Sequence, residues 1–83
     1  QAEIEYELLN VERVPVAVEI YDLAGRKVGE LSDGERGSGR FVARWDGRGT
    51  GGDLLPPGTY LVRLAVERDG GRETVQRVVG LAY

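Results

Sequence analysis

The sequence predicts an all-β fold, an antiparallel β-sandwich of about seven short strands. Two observations indicate this fold: apolar and polar residues alternate in most segments, and clusters of turn-forming residues, chiefly glycine, separate those segments at short intervals. No window shows a useful helical period. A run of short alternating strands is typical of two packed sheets, with a small closed barrel as the alternative.

The first half of the chain supplies three of these strands. Residues 2–8 alternate strictly between apolar and charged side chains and predict a half-buried strand, and residues 14–21 alternate again, with Val14, Val16, Val18 and Ile20 on one face. Asp22–Gly25 has the chemistry of a tight turn, so residues 26–31 return as the second strand of a hairpin. Residues 32–39 are polar and rich in glycine, and they predict an exposed loop.

The centre of the chain is organised around its single tryptophan, Trp45. Residues 40–45 alternate with Trp45 facing inward, and Asp46–Gly47 turns the chain directly afterwards. Residues 48–57 form a connection without periodicity, in which Leu54 or Leu55 is expected to close one end of the core. Part of this connection could add a seventh strand.

The last two strands form a second hairpin. Residues 59–67 are the clearest strand of the chain, and residues 68–71 contain an Asp-Gly turn signal. Residues 72–82 return, but an arginine interrupts their inward-facing apolar set. A bulge near Arg77 or Val78 would reconcile the two halves of this strand.

Length and composition limit the function classes. The chain of 83 residues is expected to form one domain, residues 1–83, and it has no Met, so we interpret it as a processed product or a piece of a longer polypeptide. It has no Cys and no His, so disulfides and the usual ligands of zinc, copper and iron are missing. No cofactor is expected.

The charge pattern favours a mixed protein surface. Fourteen acidic and 11 basic residues are spread along the chain, giving a net charge of -3, which is not the footprint of a nucleic-acid-binding protein. No apolar run approaches the roughly 20 residues that cross a bilayer. Glu3, Glu5 and Glu7 share one strand face, which is interpreted as a solvated face, with cation or basic-partner binding as the alternative.

Several local patterns resemble chemical sites. Gly47–Gly52 fits a dinucleotide-binding pattern by letter, but the following residues cannot form the helix that such a site needs. Asp46 and Asp53 flank this loop and are the candidate calcium ligands, although further carboxylates are lacking. Ser32 and Ser38 have no histidine base, and nothing predicts a pocket around paired carboxylates. The sequence therefore predicts no enzyme activity.

The aromatic side chains could form a sugar-binding platform. By strand phase, however, Trp45, Tyr60 and Tyr6 face inward and are predicted to be core residues. Tyr21 is the only one of the four on an outward phase. Carbohydrate binding would therefore depend on one residue.

Three ordered segments carry a resemblance to a known family. Val18–Val28, Trp45–Gly47 and Gly51–Leu64 together resemble the Ig-like domain of bacterial flagellar hook-capping proteins, the FlgD-like type. The related C-terminal sorting domains of type IX secretion share its turn and its strand entry. The resemblance extends over residues 2–81.

The resemblance implies an Ig-like or fibronectin-III-like sandwich without catalytic, cofactor or metal sites. Its matched positions would be structural: Asp22, Gly25, Trp45, Asp46, Gly47, Gly58 and Tyr60. It implies a structural or interaction module of an extracellular or cell-surface bacterial protein, periplasmic in transit. The alternatives are a type IX sorting domain and a repeating filament subunit. Partners would be proteins, either the rest of a parent polypeptide or copies of the chain.

Overall fold

The computed structural model describes residues 1–68 and 70–83, which form six antiparallel strands and no helix. The strands are β1 (Ala2–Leu8), β2 (Val14–Tyr21), β3 (Lys27–Arg36), β4 (Gly39–Trp45), β5 (Gly58–Arg68) and β6 (Gly71–Leu81). The predicted all-β sandwich is confirmed. In place of a seventh strand, the connection between β4 and β5 contains a single bridge pair, Arg48 and Leu54. With no helix in these two ranges, the described chain offers no helical membrane span.

The strands form two sheets whose inner faces enclose the core. One sheet has the order β1-β4, and the other has the order β3-β2-β5-β6. Alternation sends every second side chain inward, so Ile4 lies opposite Ala43 in the first sheet and Val18 lies opposite Leu64 in the second. The buried core residues are Ala2, Ile4, Tyr6, Val16, Val18, Ile20, Ala43, Trp45, Tyr60, Val62, Leu64, Val66, Val79 and Leu81.

The prediction of an exposed loop at residues 32–39 is wrong. Strand β3 continues to Arg36, and β4 already begins at Gly39. The polar end of β3 pairs with the start of β2 through backbone hydrogen bonds, which do not require apolar side chains. A register shift beside Pro15 accommodates this pairing. Much of the surface of these side chains faces solvent, so the segment is polar and lacks the apolar alternation that would predict a strand.

The predicted bulge near Arg77 or Val78 is also wrong. Pairing of β5 with β6 is continuous from Gly58 opposite Leu81 to Arg68 opposite Gly71. Arg77 interrupts the inward-facing apolar residues of β6 because the β1-β4 sheet has only two strands and does not cover the first part of β6. The Arg77 side chain is therefore exposed there. The Asp-Gly turn predicted at residues 68–71 includes Asp69, which lies outside the described residues.

Candidate functional site

Trp45 ends β4 and packs at one end of the core, with 2% of its surface exposed. Its indole N–H donates to the carbonyl oxygen of Arg48 at 3.0 Å. The Tyr60 ring meets the indole edge to face with centroids 5.3 Å apart, and the Tyr60 hydroxyl donates to the carbonyl oxygen of Pro56 at 2.5 Å. Both aromatic polar groups are therefore satisfied by the connection that follows β4.

Asp46 and Gly47 turn the chain at this end of the sandwich. The Asp46 carboxylate accepts the Arg48 backbone N–H at 3.0 Å. Gly47 has a φ of 90°, in the left-handed region that favours glycine. Its carbonyl oxygen accepts the Leu55 N–H at 2.8 Å and the Tyr83 hydroxyl at 3.2 Å. The turn thus holds both the end of the connection and the last residue of the chain.

The glycine-rich connection is bonded to itself and to β3. The Gly49 N–H donates to the Asp53 carbonyl oxygen at 3.0 Å, and the Thr50 N–H donates to the Val28 carbonyl oxygen at 3.0 Å. Leu55 packs against the core while Leu54 is exposed, so Leu55 is the leucine that closes this end. The segment that matches the dinucleotide-binding letters leads into β5, a strand.

Of the two candidate calcium ligands, Asp46 and Asp53, the Asp46 carboxylate has contacts within its own turn. Asp46 already accepts a backbone N–H and lies 3.6 Å from the Arg48 guanidinium. The described residues contain no group of three or more histidine, cysteine, aspartate or glutamate side chains placed to hold a metal ion.

The Asp22 carboxylate shapes the turn between β2 and β3. It accepts the backbone N–H groups of Arg26 at 2.9 Å and Ala24 at 3.0 Å, and the Arg26 guanidinium at 3.0 Å. The backbone hydrogen bond from Arg26 is the largest of the effects that hold the pKa of Asp22 below its ordinary value. Gly25 has a φ of 90°, which this turn needs.

Pairing brings the sequence-predicted positions to one end of the sandwich. Trp45 ends β4 opposite Ala2, and Gly58 starts β5 with a φ of 150°. Tyr21, which directly precedes the Asp22 turn, pairs with Leu61 just after Tyr60. The seven positions therefore cluster through strand register although they span much of the sequence.

The aromatic residues are distributed as strand phase predicts. Trp45, Tyr60 and Tyr6 are buried. Tyr21 lies on the outer face, where the Arg63 guanidinium sits 5.1 Å from its ring centroid. An intramolecular cation therefore occupies one face of the ring that a sugar would need.

The outer face of the β1-β4 sheet carries the three glutamates of β1. Glu3 pairs with Arg44 at 3.1 Å, and Glu7 pairs with Arg40 at 3.3 Å, while Glu5 lies opposite Val42. All four charged side chains of these pairs are about half exposed or more. Such surface pairs contribute only about 0–1 kcal/mol each to stability, so this face is available for polar contacts with another protein.

An open groove lies between the edges of β1 and β6. Its volume is about 760 Å³, and it is lined by Glu5, Tyr6 and Arg40 on one side and by Arg77 and Val79 on the other. The groove is open to solvent and has a mixed polar and apolar lining. These properties are typical of a surface that contacts another molecule and not of an enclosed, dry ligand pocket.

Sequence reasoning missed the ionic cluster around Glu19 on the outer face of the four-stranded sheet. Glu19 is 8% exposed, and its carboxylate lies 3.4 Å from the Lys27 amine and 3.3 Å from the Arg72 guanidinium. Burial alone raises the pKa of Glu19, but the Lys27 hydrogen bond and the Arg72 charge outweigh it and leave the pKa below its ordinary value. The sequence signal for this cluster is limited to a glutamate in the middle of a segment that predicts a strand.

Glu19→Gln is expected to destabilise the fold at about pH 6 and to have a smaller effect at about pH 2. A lowered carboxyl pKa gives stabilisation that is present above the unfolded-state pKa and is lost as pH falls through the lower folded-state pKa. Urea unfolding at both pH values measures this. Glu5→Gln, which removes an exposed carboxylate, is the control. An equal loss for Glu19→Gln at both pH values would contradict the ionic role.

Tyr6 joins β1 to β3 through its hydroxyl, another contact that the sequence did not indicate. The hydroxyl donates to the Asp33 carboxylate, and the Tyr6 ring lies 5.6 Å from the Phe41 ring. Burial, together with the Asp33 hydrogen bond and charge, raises the pKa of Tyr6 to about 12. This bond connects Asp33, in the part of β3 that was predicted to be a loop, to the other sheet.

The folded protein is expected to lose stability as pH rises from about 10 through about 12, since Tyr6 ionises more readily in the unfolded chain. Tyr6→Phe should remove this alkaline loss and should cost about 1 kcal/mol at neutral pH. Thermal unfolding across this pH range tests both effects. Tyr21→Phe removes an outward hydroxyl and serves as the control. An unchanged alkaline profile in Tyr6→Phe would refute the assignment.

Comparison with known proteins identifies a family for this chain and finds several similar solved structures. The family model described as the FlgD Ig-like domain matches residues 3–70. The crystal structure of FlgD from P. aeruginosa superposes with a TM-score of 0.70 at 22% identity, over 95% of this chain and 72% of that one. No curated protein gives a significant match. The structural likeness concerns the fold, and the family match includes the Asp22 turn, the Trp45 corner and the entry to β5.

Proposed function

Because the chain belongs to the FlgD Ig-like domain family, we propose that it serves as a non-catalytic structural and interaction module of an extracellular or cell-surface bacterial protein. The family is a structural one, that of flagellar hook-capping proteins, and not an enzyme family. Membership implies contacts with other proteins. The match over residues 3–70 is the observation that carries this proposal.

The contacts of the four matched side chains that carry polar groups support a structural role for them. The Asp22 and Asp46 carboxylates bond to backbone N–H groups of their own turns, and the Trp45 and Tyr60 polar groups bond to backbone carbonyls. The proposed structural set is Asp22, Gly25, Trp45, Asp46, Gly47, Gly58 and Tyr60. These groups stabilise one end of the sandwich, in a single proposed domain that comprises residues 1–83.

The outer faces support proteins as the partners. Paired carboxylates and arginines cover the β1-β4 sheet, and the net charge of -3 disfavours binding to nucleic-acid phosphates. The partner is proposed to be the rest of a parent polypeptide or another copy of the chain. Mixed charges of this kind set orientation and specificity in protein contacts more than they set affinity.

The cellular location tests the proposal. An epitope-tagged parent protein, expressed from its own locus, should be digested by protease added to intact cells, with a cytosolic protein as the control. A photo-crosslinking residue at Glu5 should capture protein partners, and the same residue at the exposed Leu23 serves as a matched position. A protein that is protected until lysis and found only in the cytosol would contradict the proposed location.

A repeating subunit of an extracellular filament is a second candidate, favoured by the free edges of the outer strands of both sheets. Light scattering of the native protein would show large assemblies if the filament role is correct.

A type IX sorting role follows from the same family resemblance and has a separate test. A reporter fused to residues 1–83 should reach the surface of a type IX-competent host, and retention in the periplasm would exclude that role.

A further inference from the structure

Strand β6 is the least protected edge of the fold. It is the outer strand of the four-stranded sheet, and its 11 residues pair with β5 without interruption. It contains no proline, and every residue from Gly71 to Val78 is exposed. Edges of soluble proteins are usually protected by bulges, prolines or short length. The opposite edge, β3, has two register shifts against β2, and β1 and β4 have seven residues each.

The side chains of β6 are arranged symmetrically around Val75. Glu73 and Arg77 lie two residues before and two residues after it, on the same face of the strand. Val75 itself is 38% exposed. If a second β6 runs antiparallel about a two-fold axis at Val75, Glu73 of each copy faces Arg77 of the other, and the two Val75 side chains meet.

We propose that two copies of this chain associate through β6, antiparallel about a two-fold axis at Val75, and join their four-stranded sheets into one sheet of eight strands. This inference rests on the proposed function as an interaction module and names its partner. Backbone hydrogen bonds between the two edges hold the contact. One apolar pair and two flanking ion pairs set its register.

The charges of β6 select this register over its neighbours. An axis at Glu73 or at Arg77 would place like charges directly opposite each other, which is destabilising. An axis at Thr74 or Gln76 would put a charged side chain opposite Val75. Only the axis at Val75 gives each charged residue of the inner face an opposite charge.

Both charged residues are accessible for this pairing. Within residues 1–68 and 70–83, Arg77 forms no ion pair, and its guanidinium donates to the neighbouring Gln76 carbonyl oxygen at 2.9 Å. Glu73 pairs with Arg68 at 2.7 Å, but its side chain is 58% exposed and a carboxylate can accept a second guanidinium. Neither group would need to be extracted from the core.

The same reasoning disfavours self-pairing of β1. Two antiparallel β1 strands about Glu5 would bring Glu3 opposite Glu7 and Glu5 opposite Glu5, so every outward pair would repel. A two-fold contact through β6 uses the same surface on both copies and is closed. It therefore produces dimers and does not propagate into a filament.

Sedimentation equilibrium of the 83-residue chain, from about 10 μM to about 1 mM, tests the proposal, since one strand pair makes a contact below standard interface size. We expect reversible dimers at the upper concentrations. Arg77→Glu and Glu73→Arg should each raise the dissociation constant about tenfold or more, because each places like charges opposite each other twice. The double variant Glu73→Arg/Arg77→Glu should restore dimerisation.

The control Arg13→Glu makes the same charge change in the connector before β2 and should leave dimerisation unchanged. Hydrogen exchange of the unaltered chain gives a second measurement that needs no variant: amides of residues 71–79 alone should exchange more slowly at high concentration. A monomer at about 1 mM, or a double variant that does not recover, would overturn the proposal. Either result leaves the module function standing, because that function is tested by cellular location.

Discussion

Trp45→Ala is expected to lower the free energy of unfolding by about 3–5 kcal/mol, which approaches the whole stability of a small domain. The side chain is 2% exposed and packs against Tyr60, so its removal leaves a cavity at the end of the core. The substitution also removes the indole donor to the Arg48 carbonyl oxygen. Urea unfolding followed by far-ultraviolet circular dichroism measures the effect.

A second variant separates the effect of the cavity from that of the lost hydrogen bond, and a third serves as the control. Trp45→Phe keeps an aromatic ring and should cost less than the alanine variant. Leu23→Ala removes a large apolar side chain that is 68% exposed and should change stability by less than about 0.5 kcal/mol. If Trp45→Ala costs less than about 1 kcal/mol, the indole is not a core residue in solution, and the aromatic-platform interpretation gains support.

Gly49→Ala is expected to destabilise the protein by about 1–3 kcal/mol through overpacking. A Cβ at this position would lie 2.7 Å from the Val28 carbonyl oxygen and 2.9 Å from a Leu55 methyl group. The first of these atoms belongs to the backbone of β3 and accepts the Thr50 N–H, so the connection must move away from the sheet. Thermal unfolding measures the loss.

Gly51→Ala is the matched control in the same connection. A Cβ at Gly51 meets no atom within 4 Å, so this variant should retain full stability or gain slightly from the lower entropy of its unfolded chain. Equal losses for both variants would show that the connection requires glycine flexibility in general. A loss confined to Gly49→Ala would show that close packing on β3 is the requirement.

Local patterning was sufficient to predict most elements of the fold. Alternation located β1 and β2 with their observed ends, and the Asp22 turn followed from the ability of aspartate to bond its own backbone. Trp45 was expected inside because it is the largest apolar side chain. Alternation, turn chemistry and side-chain size are each properties of a few neighbouring residues, so they can be recognised without knowledge of the rest of the chain.

The errors and omissions involve partners that are distant in sequence. The end of β3 is a strand because β2 offers it backbone bonds, and Tyr6 supplies a hydroxyl to Asp33 from the other sheet. Glu19 is tolerated in a buried position because Lys27 and Arg72 converge on it. None of these contacts produces a periodic pattern of apolar residues that could be recognised in the sequence.

The all-β class, the two hairpins, the inward-facing aromatic residues and the family resemblance could all be predicted from the amino-acid sequence, because side-chain period and turn chemistry act between near neighbours. Which surfaces remain open depends on the tertiary structure. Because a two-stranded sheet packs against a four-stranded one, the first part of β6 is uncovered on its inner face, and a regular, exposed edge takes the place of the bulge predicted near Arg77 or Val78. Which edge is free depends on how many strands each sheet contains, and that number is set by long-range pairing.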